Sequence, residues 1–295
     1  MQIFLTGATG FIGSHILPEL LEAGHQVRGL ARSDTGAKQL TAAGATVHRG
    51  DLDDPTTLRS GAENADAVIH CAFDHDFSRF VENCHKDKRN IEAMGEALAG
   101  SARPFVITSG SGLGSPGPGL LASEEVFDEA HANPRKISEE TGAAVAAARS
   151  VNIFYVRLPQ VHDTRKQGLI TPLIELARAK GRVAYLGEGK NRFAAAHVSD
   201  VARVYKLAIE RGESGARYHA VDEEGVPMRE IAEALGRSLK LPVVSLSGHE
   251  AADYFGWMAM FAGMDMPASS VLTRNKLGWK PVGRGLIADL DNLET

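Results

Sequence analysis

Three glycines near the start of the chain have the spacing of a phosphate-binding turn. Gly7, Gly10 and Gly13 follow one another at intervals of three residues, between a short apolar run and a stretch of helical character. Glycine lets the backbone turn tightly and approach a pyrophosphate, and the N-terminus of the next helix directs unpaired N–H groups at it. The pattern is G-x-x-G-x-x-G rather than the usual G-x-G-x-x-G. We predict a nucleotide site, with an ordinary strand-to-helix turn as the alternative, formed by Gly7, Thr9, Gly10, Phe11, Ile12 and Gly13.

The composition narrows the classes of partner and location. The chain has 295 residues and a formal net charge of −5 without a long basic block, so we expect no nucleic-acid partner. No apolar stretch reaches the ~18 residues that span a bilayer. The N-terminus lacks the basic region of a signal peptide, and its apolar run predicts a strand instead. We expect no membrane partner and a cytoplasmic location.

The side chains that bind metals or form disulfides are too few or too scattered to make a site. The two cysteines, Cys71 and Cys84, have no C-x-x-C spacing, which disfavours a disulfide framework or a zinc site and is typical of a reducing compartment. The eleven histidines include no His-x-x-x-His pair. We therefore expect no metal.

Apolar strand-like runs alternate with helical stretches in the first part of the chain. This alternation predicts a parallel sheet covered by helices on both faces, with ligands bound at the carboxyl ends of the strands. The predicted strands are Ile3–Leu5, Gln26–Ala31, Thr46–Arg49, Ala67–Cys71, Phe105–Thr108 and Asn152–Leu158. The predicted helices cover Ser14–Ala23, Ala37–Ala43, a segment from Pro55, Asn90–Leu98 and Ser138–Arg149.

After Pro159 the alternation ends. We expect residues 1–162 to form a dinucleotide-binding domain to which residues 197–222 return, and residues 163–196 and 223–295 to form a smaller cap over the sheet edge. The elements predicted here are helices at Leu169–Lys180, Asp200–Glu210, Met228–Leu239 and Tyr254–Met260, and a strand within Arg217–Val221.

Seven motifs occur in a characteristic order. They are TGATGFIG at Thr6–Gly13, GDLDD at Gly50–Asp54, VIHCA at Val68–Ala72, TSGSG at Thr108–Gly112, VRLPQVHD at Val156–Asp163, HVSDVA at His197–Ala202 and LGWKP at Leu277–Pro281. Together they resemble the extended short-chain dehydrogenase/reductase family, which includes nucleotide-sugar epimerases, dehydratases and dihydroflavonol-type reductases. The resemblance covers nearly the whole chain. It implies an α/β fold, a Rossmann-type doubly wound parallel sheet with a smaller C-terminal substrate-binding cap, and a nicotinamide cofactor.

The end of the second predicted strand favours NADP over NAD. In this fold an acidic residue at the strand tip accepts the ribose hydroxyls of NAD. Here the tip is Ala31, followed by Arg32 and Ser33. A neutral tip does not repel a 2′-phosphate, and an arginine can bind it in a bidentate manner. Asp34 comes three positions too late for the NAD role, so a turn or N-cap role is expected for it.

The resemblance also implies cofactor contacts at the ends of later strands. Asp51 and Leu52 correspond to positions that contact the adenine ring. His70 and Ala72 close the fourth strand over the cofactor, although a satisfied interior histidine is an equal alternative for His70. Leu158 follows the sixth strand beside the nicotinamide.

The family's catalytic pattern is incomplete in this chain. The family uses Ser or Thr after the fifth strand, then Tyr-x-x-x-Lys at the next helix, where the lysine lowers the tyrosine pKa and holds the nicotinamide ribose. Ser109 and Ser111 follow the strand, but no tyrosine occurs between Phe73 and Phe154. One register puts Lys136 at the lysine position with Ala132 at the tyrosine. The other register puts Arg135 and His131 there.

Three accounts of the missing tyrosine remain open. His131 could supply the proton near neutral pH. A water held by Ser109 or Ser111 could do so. Alternatively, the protein binds NADP without turnover, as a sensor or scaffold. We predict an NADP-dependent reductase of a small carbonyl compound, with catalytic candidates Ser109, Ser111, His131 and Lys136. Epimerase or dehydratase chemistry on a nucleotide-sugar-like substrate is a further alternative.

Other residues are expected to surround the substrate or to join the two domains. The resemblance implies a joint at His197, and we expect Asp200 to cap the next helix. Arg192 either binds an anionic group or is solvated. The Trp-, Met- and Phe-rich tail from Asp253 to Met266 forms either cap core or the wall of an apolar pocket; in the second case the substrate is apolar or aromatic. The resemblance further suggests a homodimer through the helices after strands four and five.

Overall fold

The computed structural model describes residues 1–294, and its strands form one large sheet and two small ones. The strands are β1 (Gln2–Thr6), β2 (Gln26–Ala31), β3 (Thr46–Arg49), β4 (Ala67–His70), β5 (Pro104–Gly110), β6 (Asn152–Leu158), β7 (Gln160–His162), β8 (Val183–Leu186), β9 (Arg192–His197), β10 (Arg217–His219), β11 (Glu223–Pro227) and β12 (Val243–Leu246). The large sheet has seven parallel strands in the order β3-β2-β1-β4-β5-β6-β10. The strand order reverses its direction between β1 and β4: β1 to β3 extend to one side and β4 to β10 to the other.

Helices cover both faces of the large sheet and form most of the cap. They are α1 (Gly13–Glu22), α2 (Asp34–Ala42), α3 (Pro55–Glu63), α4 (Phe80–Ala97), α5 (Ile137–Arg149), α6 (Ile170–Lys180), α7 (Val198–Arg211), α8 (Met228–Leu239), α9 (Gly248–Phe255), α10 (Ala259–Ala262), α11 (Val271–Leu277) and α12 (Leu286–Leu290). None of the helices described is long and apolar enough to cross a membrane.

The core follows from the alternation of side chains along each strand. In β1, Ile3 and Leu5 pack on the face covered by α1 and α7, while Phe4 packs on the opposite face with Leu58 of α3 and Ile91 of α4. A strand buried on both faces must be apolar at every position, which is why these strands read as continuous apolar runs. The predicted Rossmann-type doubly wound sheet is confirmed.

Two predicted helices are present with different bounds. The helix expected at Asn90–Leu98 begins at Phe80, because its first turns carry buried polar side chains that do not form an apolar stripe. The helix expected at Tyr254–Met260 is interrupted by a 3-10 turn at Gly256–Met258, where Gly256 has a φ of +51°.

The cap has its own sheet pieces and core. β7, β9 and β11 form a three-stranded sheet, and β8 pairs with β12. The aromatic residues of the tail are mostly interior: Tyr254, Phe255 and Phe261 lie in the cap core with residues of α6 and α8. Trp257 differs from them, since 56% of its surface is exposed.

Candidate cofactor and active site

The turn after β1 is packed so tightly that two of its glycines are sterically required. Gly7 has a φ of +71°, and a Cβ there would lie 2.8 Å from the Ala72 nitrogen. A Cβ on Gly13 would lie 2.0 Å from the Gly7 carbonyl oxygen. Real Cβ atoms do not approach a backbone atom so closely, so any other residue would open the turn. Gly10 N–H donates to the Gly7 carbonyl at 2.9 Å and closes the turn.

The N-terminus of α1 fits a bound pyrophosphate. No side chain caps this helix, and its first turn has no acidic residue, so its free N–H groups and positive dipole end have no counter-charge from the helix itself. Thr9 and Gly10 are exposed above it, whereas Phe11 and Ile12 pack partly on the core. Of the residues predicted to bind the nucleotide, Thr9 and Gly10 are therefore exposed, and Phe11 and Ile12 attach the turn to the core.

The end of β2 carries an exposed arginine. The Ala31 side chain is buried, and Arg32 extends into solvent with Nε 3.9 Å from Asp51 Oδ2. Ser33 accepts a hydrogen bond from Gly36 N–H at 3.1 Å and is the N-cap of α2. The N-cap role expected for Asp34 is therefore wrong; Asp34 is the first residue of α2 and pairs with Arg49.

The loop after β3 is attached to the loop after β4. Asn90 of α4 donates to the Leu52 carbonyl at 3.1 Å. The Lys86 ammonium, which is almost fully buried, lies 2.6 Å from Asp53 Oδ1 and 2.9 Å from Asp74 Oδ2. These contacts hold Asp51 and Leu52 beside the carboxyl edge of the sheet.

His70 is an interior residue with both ring nitrogens occupied. Its Nδ1 lies 2.7 Å from Thr6 Oγ1 at the end of β1, and its Nε2 donates to Asp87 Oδ1 at 3.0 Å. Ala72 N–H donates to the same Thr6 oxygen at 3.2 Å. The imidazole therefore fixes the ends of β1 and β4 relative to each other, and the His70 carbonyl accepts a further hydrogen bond from Thr108 Oγ1 at 2.7 Å.

Asp87 joins this histidine to the segment before α5. Its other carboxylate oxygen accepts hydrogen bonds from Arg135 and from Ser138. Burial raises the pKa of the Asp87 carboxyl, but the Arg135 guanidinium and the hydrogen bond from His70 outweigh burial and hold the pKa well below its usual range. A buried, charged network thus connects the glycine turn with the region where the family places its lysine.

Arg135 occupies the inner position that we assigned to Lys136. Its guanidinium also donates to the Thr108 carbonyl of β5 at 3.3 Å and lies 4.0 Å from the centroid of the Phe73 ring. The Lys136 ammonium instead contacts the Glu129 carbonyl and the Glu140 carboxylate. Within the 3-10 turn Pro134–Lys136, the Arg135 side chain therefore reaches the end of β5 and the Lys136 side chain does not, which favours the register with Arg135 at the lysine position.

The two serine candidates have different environments. Ser109 Oγ donates to Glu139 Oε1 at 2.7 Å, within a buried cluster in which Glu139 also pairs with Arg157 and Arg217. Burial raises the pKa of Glu139, and its arginine partners and Ser109 lower it below the usual range. Ser111 is equally buried, and the hydrogen bonds formed by residues 1–294 leave its hydroxyl without a protein partner. The two serines therefore differ in that only the Ser109 hydroxyl is bonded to a buried carboxylate.

The remaining sequence candidates lie around these groups. Leu158 is partly buried at the end of β6, in register with Gly110 of β5. His131 Nδ1 accepts a hydrogen bond from Asn133 N–H at 3.0 Å, and this contact is local. The part of the chain described here contains no group of three or more His, Cys, Asp or Glu side chains placed to hold a metal.

An aromatic loop after β4 was missed by the sequence reasoning. Phe73, His75 and Phe77 follow one another in it, and Phe77 stacks on Trp257 of the cap with 5.5 Å between ring centroids. Phe261 of the cap lies against the same Phe77 ring at 5.8 Å. The available signal was the position of the segment AFDHDFSRF directly after a strand on the carboxyl edge.

The residues of the expected domain joint are bonded differently from our prediction. His197, not Asp200, is the N-cap of α7, and it accepts from Ser199 N–H at 3.3 Å. Asp200 instead accepts from the N–H groups of Val282 and Gly283 at 3.0 and 2.7 Å. The predicted capping role of Asp200 is therefore wrong: its carboxylate holds the C-terminal segment.

Arg192 is neither free nor simply solvated. Its side chain forms a bidentate pair with Asp265, with Nε–Oδ1 and Nη2–Oδ2 distances of 3.1 and 2.8 Å. The same guanidinium donates to the Gly119 carbonyl at 3.1 Å. The Asp265 carboxylate thus binds the guanidinium in the way that an anionic ligand would. Through Gly119, Arg192 also connects the cap to the loop after β5.

Comparison with known proteins agrees with this geometry. A sequence model of the NAD-dependent epimerase/dehydratase family matches residues 3–222. An uncharacterized protein of Schizosaccharomyces pombe is 44% identical over 291 residues, which are 98% of this chain and 98% of that protein. The decarboxylating sterol-4-alpha-carboxylate 3-dehydrogenase of Dictyostelium discoideum is 30% identical over 252 residues, 78% of this chain and 74% of that enzyme.

Solved structures share the fold at low sequence identity. The UDP-glucose 4-epimerase of Thermus thermophilus, in complex with NAD, superimposes with a TM-score of 0.74 at 21% identity, over 99% of this chain and 97% of that one. The matched family is named for NAD dependence, and the glycine turn with the uncapped N-terminus of α1 offers the unpaired N–H groups that a dinucleotide pyrophosphate requires. The chain belongs to the NAD-dependent epimerase/dehydratase family.

Proposed function

We propose that the protein is an NADP-dependent oxidoreductase that reduces the carbonyl group of a small apolar or aromatic compound. One observation carries the proposal: the glycine turn shares its strand edge with the aromatic loop, in which Phe77 stacks on Trp257 of the cap. A cofactor on that turn would face apolar rings rather than a polar sugar site. The dehydrogenase relative is named for a sterol carboxylate, which is in keeping with such a substrate.

The choice of NADP rests on Arg32. Its side chain is 80% exposed at the end of β2, and its neighbour Ala31 is neutral and buried. The guanidinium would bind a 2′-phosphate in a bidentate manner, and Asp51 would release it to do so, since their 3.9 Å ion pair is weak and solvent-exposed.

The protein's residues would hold and orient the reacting groups. When bound, the cofactor supplies the hydride. Gly7 to Gly13 would hold its pyrophosphate, and Arg135 would lie beside the nicotinamide ribose in place of the family's lysine. Ser111 would bond the carbonyl oxygen of the substrate or a water that carries a proton to it.

A second candidate function has one observation in its favour. No tyrosine occurs between Phe73 and Phe154, and the Lys136 ammonium faces away from the strand ends. A protein without these groups could bind NADP as a sensor or scaffold. Nucleotide-sugar chemistry has less support, because the Asp265 carboxylate already occupies Arg192.

A substrate panel tests the proposal. The purified protein is mixed with NADPH or NADH and with aldehydes, ketones and quinones of increasing ring size, and the loss of reduced nicotinamide is followed. We expect oxidation of NADPH by aromatic carbonyl compounds in excess of aliphatic ones. Tight NADPH binding without oxidation by any carbonyl compound would support the sensor or scaffold function instead. Thermal stabilisation of the NADP complex by UDP-sugars alone would support epimerase-type chemistry.

We also propose a homodimer in the cytoplasm. The exposed face of α5 carries the small side chains of Ala143, Ala144 and Ala147, which would let a second copy pack closely. Cys71 and Cys84 are unpaired, and burial raises the pKa of both thiols to about 11, so they suit a reducing compartment. Light scattering during gel filtration would measure the mass: a monomer at micromolar concentration would contradict the dimer.

A further inference from the structure

The loop after β4 carries a histidine in a position that suits the missing proton donor. His75 lies only three residues beyond Ala72, whose backbone contacts the glycine turn, so its Cα is within about 11 Å of that contact. Its ring packs edge-to-face on Phe73 at 5.4 Å and near Phe77 at 6.1 Å. These rings limit the directions in which the imidazole can turn.

Charged groups on two other elements surround this imidazole. Arg135, before α5, lies 4.0 Å from the centroid of the Phe73 ring on which His75 packs. Lys166, after β7, has its ammonium 5.7 Å from the centroid of the Phe11 ring in the glycine turn. Asp74 is the acidic neighbour within the loop, and its carboxylate is held by Lys86. His75 and Arg135 thus both pack on the Phe73 ring, and the charges of Arg135 and Lys166 both act on the imidazole.

The imidazole is accessible but not fully solvated. The residue is exposed at the surface, and burial against its neighbours lowers the pKa of the His75 imidazole. Arg135 and Lys166 lower the pKa further, while a hydrogen bond with the Phe73 backbone and the Asp74 carboxylate raise it. The ring is thus mostly neutral at pH 7 and can exchange protons with solvent.

We propose that His75 is the catalytic acid–base group that replaces the family's tyrosine, an inference that rests on the proposed function. In reduction, the carbonyl carbon gains a hydride from the reduced nicotinamide, and the C=O electron pair moves to the oxygen. That oxygen takes the proton of the His75 imidazolium, which becomes neutral and is reprotonated by water. In oxidation of the alcohol, the neutral imidazole accepts the hydroxyl proton as the hydride leaves.

His131 is the competing candidate and provides a matched control. It is also a histidine outside the sheet, but its contact is with Asn133 of its own segment. The variants H75Q and H131Q each remove one titrating ring and keep a polar side chain of similar size.

NMR titration of the histidine side chains tests the proposal without a substrate. Fluorescence first establishes that NADP+ and NADPH are bound, and H75Q assigns the resonance. The oxidised nicotinamide ring carries a positive charge that the reduced ring lacks, while the phosphates are the same. We expect the His75 midpoint to be lower in the NADP+ complex than in the NADPH complex by about 0.5 pH units or more.

The outcomes separate this inference from the proposed function. Binding of both nucleotides with no redox-dependent shift at His75, or with the shift at His131 instead, would overturn the inference and leave the proposed function intact. Failure of both nucleotides to bind would overturn both. With an active carbonyl substrate, kcat/KM for reduction should fall as pH rises through the His75 midpoint, and H75Q but not H131Q should remove that limb. An unchanged limb in H75Q would also overturn the inference.

Discussion

The glycine turn, which follows β1, and the segment before α5, which follows β5, both lie at the carboxyl edge of the sheet but differ in how strongly they depend on particular residues. In the turn, Gly7 and Gly13 are required because their missing Cβ atoms would collide with backbone. Before α5, Arg135 is held by side chains, namely Asp87 and Ser138, and a different set could hold a different residue. A site fixed by backbone sterics keeps its sequence, whereas one fixed by side-chain networks can exchange its chemistry while the fold persists.

Substitution in the turn should have the largest effect. Gly13→Ala places a Cβ 2.0 Å from the Gly7 carbonyl oxygen, so the turn must open. We expect NADPH affinity to fall about 1,000-fold or more, measured by fluorescence titration. Gly112→Ala is the matched control, because its Cβ would meet no atom within 4 Å. Equal affinities for the two variants would contradict the steric account.

Removal of the network carboxylate should cost the most stability. Asp87→Ala leaves Arg135 and His70 without their buried partner. We expect a loss of about 3–5 kcal/mol in the free energy of unfolding at pH 7, measured by urea denaturation. Asp74→Ala, which removes a half-exposed ion pair with Lys86, should cost about 1 kcal/mol or less. Similar losses for both would show that the network is not essential.

The buried network around Asp87 predicts that the free energy of unfolding depends on pH. The folded pKa of Asp87 is below its usual value, so its contribution is complete above the unfolded pKa of about 3.9 and is lost as pH falls through the folded pKa. The difference in unfolding free energy between the wild type and Asp87→Ala should therefore shrink between pH 5 and pH 2. A difference that stays constant over this range would contradict the assigned charge.

A charge reversal at Arg32 should change the preference of the site for NADPH over NADH. Arg32→Glu replaces the proposed partner of the 2′-phosphate with a repelling charge, so NADPH affinity should fall about 30-fold with little change for NADH. Arg59→Glu makes the same charge change on α3, away from the turn, and should alter neither affinity. A parallel loss for both nucleotides in Arg32→Glu would argue against the NADP assignment.

The smallest expected effect is the difference between substituting Arg135 and substituting Lys136. Arg135→Gln should lower NADPH affinity and kcat/KM about tenfold, with partial recovery in Arg135→Lys, because the charge beside the ribose is restored. Lys136→Gln should change both by less than about twofold, since that ammonium faces Glu140. The reverse order would restore the register that we predicted from sequence.

Sequence reasoning succeeded where the constraint is local. The spacing of Gly7, Gly10 and Gly13 and the apolar strands predicted the sheet and the tight turn after β1, because turns and strand burial depend on adjacent residues. Side-chain contacts were not predicted where the two partners are distant in the chain. Arg192 pairs with Asp265, and Arg135 with Asp87, across separations that no local pattern encodes.

Hydride transfer to a carbonyl carbon, in a chain without a tyrosine between Phe73 and Phe154, is the step on which the proposed function depends. Its most direct test uses NADPH deuterated at the transferable C4 position, with the best carbonyl compound of the panel and mass spectrometry of the product. The account predicts an alcohol with one deuterium on the former carbonyl carbon, formed by the wild type and not by Gly13→Ala. An undeuterated product, or no alcohol from a protein that binds NADPH tightly, would contradict it.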